Sequence, residues 1–257
     1  MIKSSQNTKL KLARSLMGRS RERHAAGAFV AEGVRLVEEA CSAGWPIQYV
    51  LYTPELSARG LELVHRLEVQ GCQVEQVSEM LLNSVSETKT SQGLLAVLDH
   101  SPLALPQPLN FVLIPDSIRD PGNLGALLRT AAAAGVQAVF LPPETTDAFA
   151  PKVLRAGMGA HFRLPIHSLG WEEIRVATRS LKVYLADMPG NPCWQTDFTL
   201  PLALIVGGEA EGATQAARQL ADETVCIPMP GQAESLNAGV AGAVLMFEVV
   251  RQRKLGE

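Results

Sequence analysis

A chain of 257 residues with 47% hydrophobic content can bury sizeable cores and reads as two domains rather than one. Its net charge of −3 argues against a generally basic nucleic-acid binder, and Cys41, Cys72, Cys193 and Cys226, scattered without CxxC spacing, indicate neither a zinc site nor a disulfide framework. No run reaches transmembrane length and no apolar core of signal-peptide length precedes Arg14, so a reduced cytoplasm is the expected compartment and no membrane partner is expected.

The average charge conceals an asymmetry. Residues 1–24 hold seven basic side chains, Lys3, Lys9, Lys11, Arg14, Arg19, Arg21 and Arg23, against one acid, Glu22, a balance of +6 that leaves −9 for the rest. Such blocks are usually solvated helix faces or mobile arms. After this basic helix the pattern alternates: residues 29–31 read as a strand, 34–43 as a helix, 47–52 as a strand and 61–69 as a helix. Residues 73–77, 79–85 and 93–98 continue as strand, helix and strand, which predicts a small layered α/β domain over 1–100. Pro102, Pro106 and Pro108 then break the pattern and predict a semi-rigid linker over 101–108.

From 109 to 257 three segments share one layout, an apolar strand, a glycine-containing loop with a few polar residues, and a helix. The first runs from a strand at 111–114 into DSIRDPGNLGALLRTAAAAG, where Asn123, Gly125 and Arg129 punctuate an Ala-rich helix whose propensity Ala or Leu would serve better. Locally, Asp120 or Asn123 would cap that helix and Arg129 would face solvent. In the second, a buried strand at 202–206 precedes Gly207, Gly208 and Gly212, which bracket Glu209 and Glu211 in a turn where glycine would admit a ligand to the backbone. The third has a short strand ending at Ile227, a Pro-Gly loop, and a long helix starting near Ser235, for which Ser235 and Asn237 would serve as caps. Loops at the carboxyl ends of strands are where open α/β sheets bind ligands.

Asn123, Gly125, Arg129 and Thr130, then Gly207, Glu209 and Gly212, then Ile227-Pro228-Met229 with Ser235-Leu236-Asn237, together resemble the SpoU (TrmH) family of RNA ribose 2'-O-methyltransferases, of the knotted SPOUT class. The likeness spans roughly residues 109–252 and takes in PKVLRAGMGAHFRLPI at 151–166. Ala238 and Gly239 depart from bulkier or hydroxylated residues common in the family. Residues 21–40 and 86–97 resemble the family's amino-terminal RNA substrate-binding domain, similar in fold to small ribosomal proteins.

The resemblance implies a parallel-sheet α/β methyltransferase domain with a trefoil knot, S-adenosylmethionine as cofactor, no metal, a homodimer, and RNA as partner, ribosomal RNA ahead of transfer RNA. It implies that Gly207, Gly208, Gly212, Ile227, Met229 and Leu236 hold the cofactor. Arg129 would carry the chemistry. A guanidinium with a pKa above about 12 is a poor base, so a phosphate clamp that also stabilises the developing alkoxide is the safer role. Asn123, Ser235 and Asn237 would orient the ribose or the arginine, with Glu209 behind them. Lys9, Lys11, Arg14, Arg19, Arg21 and Arg23 would lie on RNA phosphates, and Lys152, Arg155, His161 and Arg163 form a second candidate set. A non-catalytic RNA-binding protein remains open at this point, whereas a dinucleotide oxidoreductase lacks its GxGxxG.

Overall fold

The computed structural model describes residues 1–87, 91–208, 212–231 and 234–254. Two compact units divide the chain: Met1–Ser101 with Phe149–Arg155, and Pro102–Ala148 with Ala156–Glu257. Phe149–Arg155 thus groups with the first unit although the chain reaches it from within the second.

The first unit runs α1 (Thr8–Gly18), α2 (Ser20–Ala26), β1 (Ala28–Glu32), α3 (Val34–Ser42), β2 (Ile47–Tyr52), α4 (Ala58–Val69), β3 (Gln73–Gln76), α5 (Glu79–Asn83) and β4 (Leu94–Asp99). Its sheet has the order β1-β4-β2-β3, with β4 antiparallel to β1 and β2, and β2 parallel to β3. Leu10, Ala13, Leu16 and Met17 recur at helical spacing on α1 and pack with Ala28, Val30, Leu51, Leu95 and Val97. Phe29 points to the opposite face, where its ring meets Trp45 edge-on at 5.6 Å and Phe149 at 4.8 Å.

The basic segment is not one exposed helix. It breaks at Arg19, whose backbone is extended, and α2 ends at the left-handed Gly27. Arg23 is buried, its Nη1 donating to the Leu16 carbonyl at the end of α1 at 2.6 Å, so its charge serves helix capping. Lys9 is paired with Glu75 at 2.6 Å and lies over the Tyr49 ring. Lys11, Arg14, Arg19 and Arg21 are exposed.

The chain continues through β5 (Phe111–Asp116), α6 (Pro121–Ala133), β6 (Ala138–Leu141), α7 (Pro151–Gly157), β7 (Ile166–Ser168), α8 (Trp171–Ala177), β8 (Lys182–Pro192), β9 (Leu202–Gly207), α9 (Gln215–Leu220), β10 (Glu223–Cys226) and α10 (Ala238–Lys254). The second unit's sheet is parallel throughout, in the order β10-β8-β9-β5-β6-β7. Near-continuous apolar runs such as Leu202 to Val206 suit strands covered on both faces. Ile174 of α8 and Ala217 and Leu220 of α9 pack with Val112, Ile114, Ala203 and Ile205. α10 lies close to α6 and β9, because a Cβ on Gly242 would stand 2.3 Å from Leu127 Cδ2 and 3.6 Å from Val206 Cγ2. From β5 the chain moves out through β6 and β7, then crosses to β8 and returns to β9. Asp116 and Gly207 therefore end side by side where the strand order reverses.

Candidate functional site

The carboxyl ends of β8, β9 and β10 and the segment leading into α10 enclose a cleft of about 470 Å³, within the range of small-ligand sites. The six residues expected at the cofactor, Gly207, Gly208, Gly212, Ile227, Met229 and Leu236, all line it. Val206, Val225, Ala241 and Leu245 add apolar wall, while Asp187, Glu234, Ser235 and Asn237 supply polar groups. A cleft with an apolar wall and a substantial polar side fits a nucleoside joined to an amino acid. The residues present therefore suit S-adenosylmethionine.

The glycines also meet a requirement set by the protein itself. A Cβ on Gly208 would lie 2.6 Å from the Ser117 carbonyl oxygen, and one on Gly207 2.9 Å from the Ala213 nitrogen. What leaves no room for a side chain is the protein's own backbone. Ser117, itself left-handed at φ 53°, aims that carbonyl at Gly208. Gly212 has φ 67° and bridges back to Gly208. Glu209 and Glu211, between them, lie outside the described residues.

Asp120 caps α6 by accepting the Asn123 N–H at 2.8 Å, with Pro121 at the first helical position. The Asn123 side chain is thereby left for another partner: Asn237 Nδ2 donates to Asn123 Oδ1 at 2.8 Å across 114 positions. Asn237 also accepts the Val240 N–H through Oδ1 at 3.3 Å, so α10 begins at Ala238 and not near Ser235. One amide caps a helix and joins the first and third motifs. Gly239 makes room for this, since its Cβ would touch Ala126 Cβ and Asn237 Oδ1 at 3.2 Å. Arg129, on α6, and Ser235 are exposed and make no ion pair or side-chain hydrogen bond with another described residue. Ser235 and Asn237 line the cleft; Asn123 and Arg129 do not.

Asp116 was not singled out by the sequence. Fully buried, it accepts the Thr214 N–H at 2.6 Å and the Thr214 hydroxyl at 3.2 Å, tying the loop after β9 to the end of β5. Burial pushes its carboxyl upward and the Thr214 bonds oppose that. Cys193 is buried, with its thiol pushed up to about 11 by desolvation, which removes it as a nucleophile. Two members of the second basic set are committed elsewhere. His161 is buried, bonded to the Ala148 carbonyl at 2.8 Å and pushed down to about 4 by desolvation, and Arg155 pairs with Glu32 and Glu87. Among the described residues no cluster of His, Cys, Asp and Glu could hold a metal ion.

Residues 110–247 match the SpoU rRNA methylase family, and residues 7–96 the MRM3-like substrate binding domain. The 23S rRNA (guanosine(2553)-2'-O)-methyltransferase RlmP of Bacillus subtilis is 36% identical over 251 residues, which cover 96% of this chain and 98% of that protein. The 23S rRNA (uridine(2479)-2'-O)-methyltransferase of Streptomyces viridochromogenes is 31% identical, covering 98% and 93%. The crystal structure of the SpoU methyltransferase AviRb from Streptomyces viridochromogenes in complex with AdoMet aligns with a TM-score of 0.86 at 30% identity, covering 98% of this chain and all of that one. The chain belongs to the SpoU rRNA methylase family. It is accordingly an S-adenosylmethionine-dependent RNA methyltransferase of the ribose 2'-O class.

Proposed function

We propose that this chain methylates a ribose 2'-hydroxyl of ribosomal RNA, with S-adenosylmethionine held in the cleft at the ends of β8, β9 and β10. The observation that carries this reading is the gathering of Gly207, Gly208, Gly212, Ile227, Met229 and Leu236 around one cleft of about 470 Å³. When bound there, the donor supplies an electrophilic methyl group. Arg129 is the clamp on a substrate phosphate and stabilises charge developing on the 2'-oxygen, a role that its permanent charge and exposure suit. Asn123 and Asn237 fix each other and orient the ribose, Ser235 donates from the cleft edge, and Glu209 supports Asn123 or Arg129.

Two copies assemble through α10. Its inner side is buried, yet Val240 and Phe247, two turns apart on one side, are 50% and 49% exposed, which suits a self-complementary two-fold face. RNA lies along Lys11, Arg14, Arg19 and Arg21, basic residues of α1, α2 and the break between them that are left at the surface. A trefoil path belongs to the same reading and rests on the likeness to the family. No described helix is long and apolar enough to cross a membrane. A cytoplasmic location belongs to the same proposal, following from ribosomal RNA as substrate.

The test is incubation with S-adenosylmethionine and unmodified ribosomal or transfer RNA, followed by digestion and mass spectrometry for 2'-O-methyl nucleosides. The expected product forms in ribosomal RNA and is absent with Arg129→Ala. Product in transfer RNA alone would overturn the substrate assignment; no product in either would overturn the reaction as stated.

A further inference from the structure

One carboxylate in the cleft has no part in the assignments above. Asp187 follows the last β8–β9 pair, Ala186↔Val206, and lines the cleft near Val225. Its Oδ1 accepts the Met188 N–H at 2.7 Å, and its Oδ2 is ion-paired with Arg218 Nη1 of α9 at 2.5 Å. The side chain is 20% exposed. Backbone and guanidinium together hold the carboxylate in one orientation among the cleft's polar groups.

We infer that Asp187 recognises the ribose of the donor nucleoside by accepting a hydrogen bond from one of its two hydroxyls, with Arg218 as a positioning residue. This rests on the assignment of the cleft to S-adenosylmethionine. An acid at the carboxyl end of a parallel strand, beside an apolar surface that takes the base, is the arrangement by which α/β sheets bind nucleoside sugars. The competing partner is the donor's ammonium group. Arg218 disfavours it, because a second cation would compete for a carboxylate already neutralised, whereas a hydroxyl donates without adding charge. A site built to bond a hydroxyl also rejects analogues that lack it, since the acceptor is left unpaired.

The experiment is calorimetric titration of the full chain with S-adenosylhomocysteine and its 2'-deoxy and 3'-deoxy analogues, for the wild type, Asp187→Ala and Arg218→Ala. Wild type should lose roughly tenfold in affinity for one deoxy analogue. Asp187→Ala should bind S-adenosylhomocysteine roughly tenfold more weakly and no longer distinguish that analogue. Arg218→Ala, altered at a half-exposed side chain, should weaken binding by about threefold at unchanged Tm while still discriminating, as expected of a group that acts through a half-exposed ion pair. Unaltered affinity in Asp187→Ala, or equal loss for all three ligands, would overturn the inference. Failure of the wild type to bind any of them would overturn the cleft assignment, and this inference with it.

Discussion

The two sheets use their polar residues in opposite ways. Around the mixed sheet of the first unit, charge is largely consumed in holding the unit together: Arg23 caps α1, Lys9 pairs with Glu75, and Glu32 bonds Ser86 and Arg155. At the parallel sheet of the second unit, Arg129 and Ser235 stand exposed without a described partner, and several polar groups rim a cleft. Strand direction accounts for the contrast. Antiparallel neighbours send their loops to both edges of a sheet, whereas parallel neighbours deliver every carboxyl end to the same edge. Three loops from distant parts of the chain therefore meet at one place in the second unit only.

The largest expected effect falls on the uncommitted side of that contrast. Arg129→Ala should lower methyl transfer by roughly 10³-fold, the scale of removing a group that stabilises developing charge, while S-adenosylhomocysteine affinity stays within about twofold by calorimetry. Affinity falling in step with turnover would place Arg129 in the binding wall. Next comes His161. The folded chain holds its imidazole down at about 4 while the unfolded chain titrates near 6.5, so the unfolded state binds the extra proton between those values. Stability should fall as pH drops from about 6.5 towards 4, by up to about 3 kcal/mol. Urea melts at pH 7, 6 and 5 check this, and His161→Gln should flatten the dependence.

Gly208→Ala should cost about 2 kcal/mol by urea denaturation, since the new methyl would meet a backbone carbonyl that cannot move aside cheaply. Cofactor affinity should fall with it. Arg23→Ala should cost a similar amount, about 2 kcal/mol, through the lost charged hydrogen bond, with the salt dependence of RNA binding unchanged. Lys11→Ala or Arg21→Ala should do the reverse, leaving stability alone and reducing the slope of log affinity against log salt by about 0.7 each on single-stranded RNA. If Arg23→Ala changes that slope and Lys11→Ala does not, the division between structural and RNA-facing charge is wrong.

Where a segment's own pattern decided its structure, the sequence could be read. Residues 47–52 form β2 as expected, and the predicted helix over 34–43 is α3 at Val34–Ser42. β8 escaped because Pro189, Gly190 and Pro192 read as turn residues, and the strand is recognised only once β10 pairs on both sides of them, passing from Leu185 to Asn191. Asp116 gave no signal because its partner Thr214 lies 98 positions away. Arg23 looks like its exposed neighbours until a carbonyl of α1 claims it. The six cleft residues were legible through motif position, while the close packing at Gly207 and Gly208 was not, since it depends on Ser117 and Ala213 brought in by the fold.

The Asn237–Asn123 bond has a consequence for the life of the chain in a cell. A contact across 114 positions closes a long loop and forms late, because its entropy is offset only once much of the second unit is in place. A ligand seated in the cleft that Asn237 lines would bind the finished fold and not the unfinished one. Donor present at 100 times its dissociation constant would hold the folded state by about 2.7 kcal/mol. Loss of the donor would remove that increment and raise the unfolded fraction about a hundredfold from its small starting value.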